Sequence, residues 1–105
     1  MAVINELDSQ KTTKGKIMDQ PDEKVMYDYA DKFINLANEM SQSDKTGRVG
    51  MAIRFAAARF SSFEASTQTN NLAEDKDKYL QLLADDFKKM LQFNLEDYIT
   101  LLSSK

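Results

Sequence analysis

The side chains best suited to bind a charged ligand are the three arginines, Arg48, Arg54 and Arg59, which lie in or directly before one apolar stretch. A guanidinium group binds carboxylates and phosphates through paired hydrogen bonds, so an arginine cluster can hold an anion. In a helix, however, Arg54 and Arg59 project about 140° apart and do not converge on one ligand. Two alternatives follow. Arg54 and Arg59 could contact an anion, or the arginines could form ion pairs with carboxylates of the same chain, which is the simpler expectation. The carboxylates considered are Asp28, Asp31, Asp85 and Asp86.

The residues that most often carry catalysis are missing. The chain has no histidine and no cysteine, which removes the usual proton-transfer group near neutral pH and the commonest zinc ligands. The acidic pairs and triplets at 74–77 and 85–86 lie beside lysines, which is typical of a solvated helix face. No glycine-rich phosphate loop or nucleophile elbow is present. The sequence therefore predicts a non-catalytic protein with no cofactor and no metal site.

Composition limits the partners and the fold. The net charge of -3 and the pI near 4.9 disfavour a nonspecific nucleic-acid binder and an anionic-membrane binder. No window approaches the roughly 18 apolar residues of a membrane span, and we expect a cytoplasmic protein. With one proline and three glycines in 105 residues, long helices are uninterrupted. We expect a polar, mobile tail at 1–20 and one helical domain at 21–105.

Turn and cap residues divide this domain into helices. Pro21 predicts the start of a first helix that ends near Ser41, and Thr46 or Asp44 can cap a second helix that ends near Thr67. Asn71, with Glu74 three residues later, resembles a capping box at the start of a third helix. Asn94 leaves two alternatives, since it either lies inside one long helix or caps a short fourth one. The predicted fold class is all-α, a three-helix bundle with or without a short fourth C-terminal helix.

Apolar residues cover two sides of the second helix. One face is predicted to be core and comprises Val49, Ala52, Ile53, Ala56, Phe60 and Phe63. The first helix is predicted to bury Met26, Ala30, Phe33, Ala37 and Met40. The opposite side of the second helix and the C-terminal end form a predicted interaction surface of Met51, Phe55, Leu95, Ile99 and Leu102. Because large exposed apolar patches are uncommon on monomers, we expect Met51 and Phe55 to be covered by the chain's own C-terminal segment, by a second copy in a homodimer or by an unknown protein partner.

Three short stretches together resemble a known family. They are FINLANE at 33–39, AAARF at 56–60 and NLEDYI at 94–99. Their order and spacing resemble the DUF3144 family of short proteobacterial proteins, a domain of unknown function. The resemblance implies a compact helical protein. It implies no activity, because no catalytic or binding residue of that family can be carried over to this chain.

Three functional hypotheses remain. The leading one is a non-catalytic protein that acts through protein contacts, as a self-associating protein or an adaptor. The first alternative is a small-molecule or anion-binding protein that uses Arg54 or Arg59 with Tyr29, Tyr79 or Tyr98. The second is an acidic nucleic-acid mimic, suggested by the negative charge and the helices and opposed by lysines interspersed among the acids.

Overall fold

The computed structural model describes residues 23–103, and these fold into three α-helices without a β-strand. Helix α1 spans Glu23–Ser41, α2 spans Arg48–Ser66, and α3 spans Leu72–Ser103. The predicted all-α, three-helix fold class is confirmed. Pro21 and the predicted mobile tail lie outside the described residues.

Helix α1 ends at Ser41, as the sequence predicted, but the side of the helix that is covered is not the predicted one. Two tightened turns close it, in which the amides of Gln42 and Ser43 donate to the carbonyls of Glu39 and Met40 at 3.2 and 3.3 Å. Its buried residues are Glu23, Tyr27 and Ser41. Phe33 and Met40 are exposed, so the prediction that they are buried is wrong, whereas Met26, Ala30 and Ala37 are half-buried. The covered side carries polar residues, which the spacing of apolar residues alone does not detect.

The loop before α2 is held by one carboxylate. Asp44 accepts hydrogen bonds from the amide of Thr46 at 2.9 Å and from the Thr46 hydroxyl at 2.5 Å. The Thr46 hydroxyl oxygen in turn accepts from the amide of Arg48 at 3.3 Å. Thr46 thus satisfies a free first-turn amide, as one of the two predicted caps. Gly47 follows with a φ of 92°, and its carbonyl accepts the amide of Met51 at 3.3 Å.

Hydroxyl groups close the C-terminal ends of α2 and α3. Ser66 and Thr67 donate to the carbonyls of Phe63 and Glu64 at 2.6 and 2.7 Å. At the end of α3, Ser103 donates to the carbonyl of Ile99 at 2.6 Å. Neither helix has a basic residue in its last turn. At the end of α2 they add to the amides of Thr67 and Gln68, which donate to the carbonyls of Glu64 and Ala65 at 3.1 and 3.0 Å. The last carbonyls are thus hydrogen-bonded without a charged side chain.

The predicted cap of α3 is confirmed, and a second residue completes it. The side-chain oxygen of Asn71 accepts the amide of Glu74 at 3.2 Å. The amide of Asn71 donates to the hydroxyl of Thr69 at 3.1 Å, which takes the place that a Glu74 carboxylate has in a capping box. That hydroxyl donates to Asp75 at 2.5 Å, so the first turn of α3 is tied to the loop before it.

Helix α3 continues through Asn94 to Ser103, so a separate fourth helix does not form. Asn94 donates from Nδ2 to the carbonyl of Met90, one turn earlier, at 2.7 Å. Its side chain therefore bonds to the helix that contains it instead of starting a new one. The 32 residues give α3 a length of about 48 Å at about 1.5 Å per residue.

The backbone divides into two compact units, the first ending at Arg54 and the second beginning at Phe55, within α2. In the second unit the predicted core residues Phe60 and Phe63 contact each other, with ring centroids 6.0 Å apart. Both are about 60% exposed, and Ile53 in the first unit is also exposed. The prediction that this face is core is wrong for these three residues and for Ala52 and Ala56, which are also exposed, whereas Val49 is half-buried. Amphipathic spacing identifies a face that needs a cover, but it does not say that the same chain provides one.

Candidate functional site

The five residues of the predicted interaction surface are large apolar side chains that the structure leaves open. Met51, Phe55, Leu95, Ile99 and Leu102 are between 56% and 67% exposed. On α3, Leu95, Ile99 and Leu102 follow one another at spacings of four and three residues and therefore share a face. This face can bind another apolar surface, and it carries no group that could do chemistry.

Arg48 and Arg54 lie in different environments. Arg48 binds Asp44 through two nitrogens, with Nη2 3.1 Å and Nε 3.2 Å from Oδ2. The side chain of Arg54 lies along α2, with one guanidinium nitrogen 3.5 Å from the place where a Cβ on Gly50 would stand. Among residues 23–103 the ion pairs join Lys24 to Asp28 and Arg48 to Asp44, and neither includes Arg54 or Arg59.

The predicted carboxylate partners of the arginines were therefore wrong. Arg48 uses Asp44, whereas Asp28 binds Lys24 at 3.0 Å. The spacing of four residues between Asp44 and Arg48 could have indicated this pair, but the sequence places Asp44 in a loop, where helical spacing is not expected to apply. The hypothesis that Arg54 and Arg59 contact an anion stays a prediction.

The loop before α2 borders a small cavity lined by Ser41, Asp44, Lys45, Gly47 and Val49. Its volume of about 10 Å³ is near the minimum that one water molecule needs. A cavity this small holds no organic ligand. Its lining does not include Arg54, Arg59 or a tyrosine, so it does not support the predicted anion site.

In this loop, the pKa of the Asp44 carboxyl group is shifted by its neighbours. The Thr46 hydroxyl, then the Thr46 amide and the Arg48 guanidinium, lower the pKa of Asp44 from its ordinary value of 3.8. Each of these groups stabilises the charged carboxylate, which is why the pKa falls.

This lowered pKa predicts an acid-dependent loss of stability. The Asp44 contribution is fully present above pH 3.8 and declines as the pH falls through the lower pKa of the folded state. We expect Asp44→Asn to lower the urea midpoint at neutral pH, and we expect this difference to shrink below pH 3.8. Urea denaturation followed by circular dichroism at neutral and acid pH measures it. Thr46→Val, which removes the leading donor, is expected to weaken the pH dependence, and a difference that grows with acid would contradict the assignment.

Within residues 23–103, no three or more acidic side chains come together as metal ligands. Also within that range, none of the helices combines the length and apolarity that crossing a membrane requires.

Comparison with known proteins gives one finding. Residues 26–99 match the family model described as protein of unknown function, DUF3144. Neither the curated proteins nor the solved structures contain a match to this chain. Because the matched region covers well over half of the 105 residues, the chain belongs to the DUF3144 family, whose function is not known.

Proposed function

We propose that this protein is non-catalytic and acts by binding protein chains through its exposed apolar side chains. The observation that supports the proposal is the exposure of Met51, Phe55, Leu95, Ile99 and Leu102, each more than half open to solvent. Covering a large apolar side chain contributes roughly 1.5–3 kcal/mol relative to leaving it in water. A few such contacts are enough to drive association.

The exposed apolar area extends beyond these five residues. Phe60 and Phe63 on α2 and Phe87 on α3 are also exposed. A folded protein seldom leaves this many aromatic and aliphatic side chains open unless a partner covers them. The partner is either a second copy of the chain or a different protein.

The proposal includes several negative statements. It assigns the protein no cofactor, no nucleic-acid partner and no membrane partner, and it places the protein in the cytoplasm of a bacterium, in keeping with the resemblance to a proteobacterial family. An anion-binding role has less support, because the cavity before α2 is only about 10 Å³ in volume and neither Arg54 nor Arg59 lines it. An acidic mimic of nucleic acid also has less support, since lysines such as Lys24 neutralise neighbouring carboxylates.

Affinity purification from the native host tests the proposal. We expect the tagged full-length chain to retain a protein, either itself or another chain. If it is another chain, Phe55→Ser combined with Ile99→Ser is expected to lose most of it, whereas a second copy held through other apolar residues of α3 is retained. These substitutions remove two exposed apolar contacts from separate helices. Mass spectrometry of the retained proteins, with quantification against the wild type, measures the effect.

Gln92→Ser is the matched control, since Gln92 is an exposed polar residue of α3. Circular dichroism must show equal helix content in all variants, so that lost binding is not lost folding. Two results together would refute the proposal. The chain would have the mass of a monomer in solution, and no retained protein would be lost in the variant that changes Phe55 and Ile99.

A further inference from the structure

We propose that the partner is a second copy of this chain, and that the two copies pair through α3 in antiparallel orientation. This inference rests on the proposed function and specifies its partner. The surface involved is the α3 seam, formed by Lys76, Leu80, Leu83, Phe87, Met90 and Asp97. The seam residues are three, four or seven positions apart, so they fall within an arc of about 100° on one side of the helix.

The apolar part of the seam is open along the middle of α3. Leu80, Leu83, Phe87 and Met90 are between 36% and 64% exposed. Their alternating spacing of three and four residues is the pattern by which long helices pack lengthwise on one another. A helix of about 48 Å offers a line of contact that a partner helix of equal length can follow from end to end.

The exposed apolar area of α3 approaches that of a standard dimer interface. A half-exposed large side chain hides about 100 Å² more when it is covered, since aromatic residues bury roughly 150–250 Å² in full. Four further exposed residues, Leu91, Leu95, Tyr98 and Leu102, border the four apolar seam residues. If all eight were covered completely, they would bury at most about 800 Å² per chain, which is close to what each partner contributes to a standard interface.

The two charged seam residues determine the orientation. Lys76 lies 11 residues before Phe87 and Asp97 lies 10 residues after it, so they are about 16 and 15 Å from Phe87 along the axis. A two-fold axis near Phe87 therefore brings Lys76 of each copy to the height of Asp97 of the other. Viewed down the helix axis, Lys76 and Asp97 both project to the same side of Phe87. The two-fold axis of an antiparallel pair brings that side of one helix against the same side of the other, so Lys76 of one copy meets Asp97 of its partner.

A parallel pair would have the opposite electrostatics. It would place Lys76 against Lys76 and Asp97 against Asp97, which is repulsive in a partly desolvated seam. In the described part of the chain, neither residue takes part in an ion pair; Lys76 is exposed and Asp97 is half-buried. A surface with opposite charges at mirrored positions complements a copy of itself, as an isologous interface requires.

Disulfide crosslinking tests the pairing and its direction, because the full chain has no cysteine of its own. Leu80 and Asn94 each lie seven residues from Phe87, so the antiparallel pair places Leu80 opposite Asn94 of the other copy. We expect Leu80→Cys and Asn94→Cys chains to form a mixed disulfide when combined under oxidation. Neither variant alone is expected to crosslink, since a disulfide needs Cα atoms roughly 4.4–6.8 Å apart.

Charge-reversal variants give an independent test. Sedimentation velocity of the full chain across the micromolar range measures their self-association. We expect Lys76→Asp and Asp97→Lys each to weaken self-association about tenfold, because each turns two attractions into two repulsions. The double variant, or a mixture of the two single variants, is expected to restore it. Lys78→Asp and Glu96→Lys are matched controls, since both residues point away from the seam and should leave association unchanged.

The outcomes separate this inference from the proposed function. A chain that has the mass of a monomer throughout, yet retains another protein through Phe55 and Ile99, would overturn the pairing and leave the proposed function standing. A monomer that retains nothing would overturn both. A dimer in which Leu80→Cys crosslinks with itself would overturn the antiparallel orientation.

Discussion

Asn94→Pro is expected to lower the free energy of unfolding by about 3 kcal/mol, because proline inside a helix removes a hydrogen bond and clashes with the preceding turn. The structure places Asn94 within α3, nine residues before the helix ends at Ser103. Leu72→Pro should cost far less, since Leu72 is the first helical residue after the Asn71 cap and its amide needs no helical partner. Urea denaturation followed by circular dichroism at neutral pH measures both variants.

Asn94→Ala separates the two roles that the sequence allowed for this residue. As an interior residue, Asn94 is a weaker helix former than alanine, so the substitution should be neutral or stabilise slightly despite the loss of the bond to Met90. As a cap, its loss would cost about 1 kcal/mol. Clear destabilisation by Asn94→Ala, together with tolerance of Asn94→Pro, would mean that the helix breaks there.

Gly47→Ala is expected to destabilise the protein by about 1–2 kcal/mol, the cost of a side chain in the left-handed region. Gly47 has a φ of 92° and has open space where a Cβ would stand, so the cost comes from the backbone and not from a clash. Thermal or urea unfolding followed by circular dichroism gives the value.

Gly50→Ala is the matched control in the next helix turn. A Cβ on Gly50 would meet only the end of the Arg54 side chain, at an ordinary contact distance of 3.5 Å. Gly50 lies in the first turn of α2, where glycine costs little. We expect a change between zero and a gain of about 0.5 kcal/mol. Equal losses at Gly47 and Gly50 would contradict the special role of Gly47.

The fold class and most helix ends could be predicted because they depend on local chemistry. Asn71 caps α3 and Thr46 binds the first free amide of α2, since a side-chain oxygen near a helix start has few other favourable partners. The end of α1 at Ser41 likewise follows from the turn residues after it. The sequence left Asn94 undecided because the same amide can cap a helix or bond back to the preceding turn.

Burial was less predictable because it depends on which surfaces meet. Phe60 and Phe63 have the spacing of a core face, and the structure exposes them, while Tyr27 is buried. Of the candidate site, the sequence identified the large apolar residues but missed the pairing of Arg48 with Asp44. Neither local propensity nor periodicity specifies the partner of an apolar face, and for this protein the partner is the functional question.

The hydroxyl groups at the ends of α2 and α3 have a consequence for the response to ionic strength. Many helices place lysine or arginine near their last turn, and this stabilisation is screened as salt increases. Here Ser66, Thr67 and Ser103 hydrogen-bond to the last carbonyls, and uncharged bonds of this kind are not screened. The C-terminal turns of these helices should therefore stay closed in concentrated salt, whereas added salt should weaken the ion pairs Lys24–Asp28 and Arg48–Asp44 and the Lys76–Asp97 pairs of the proposed dimer.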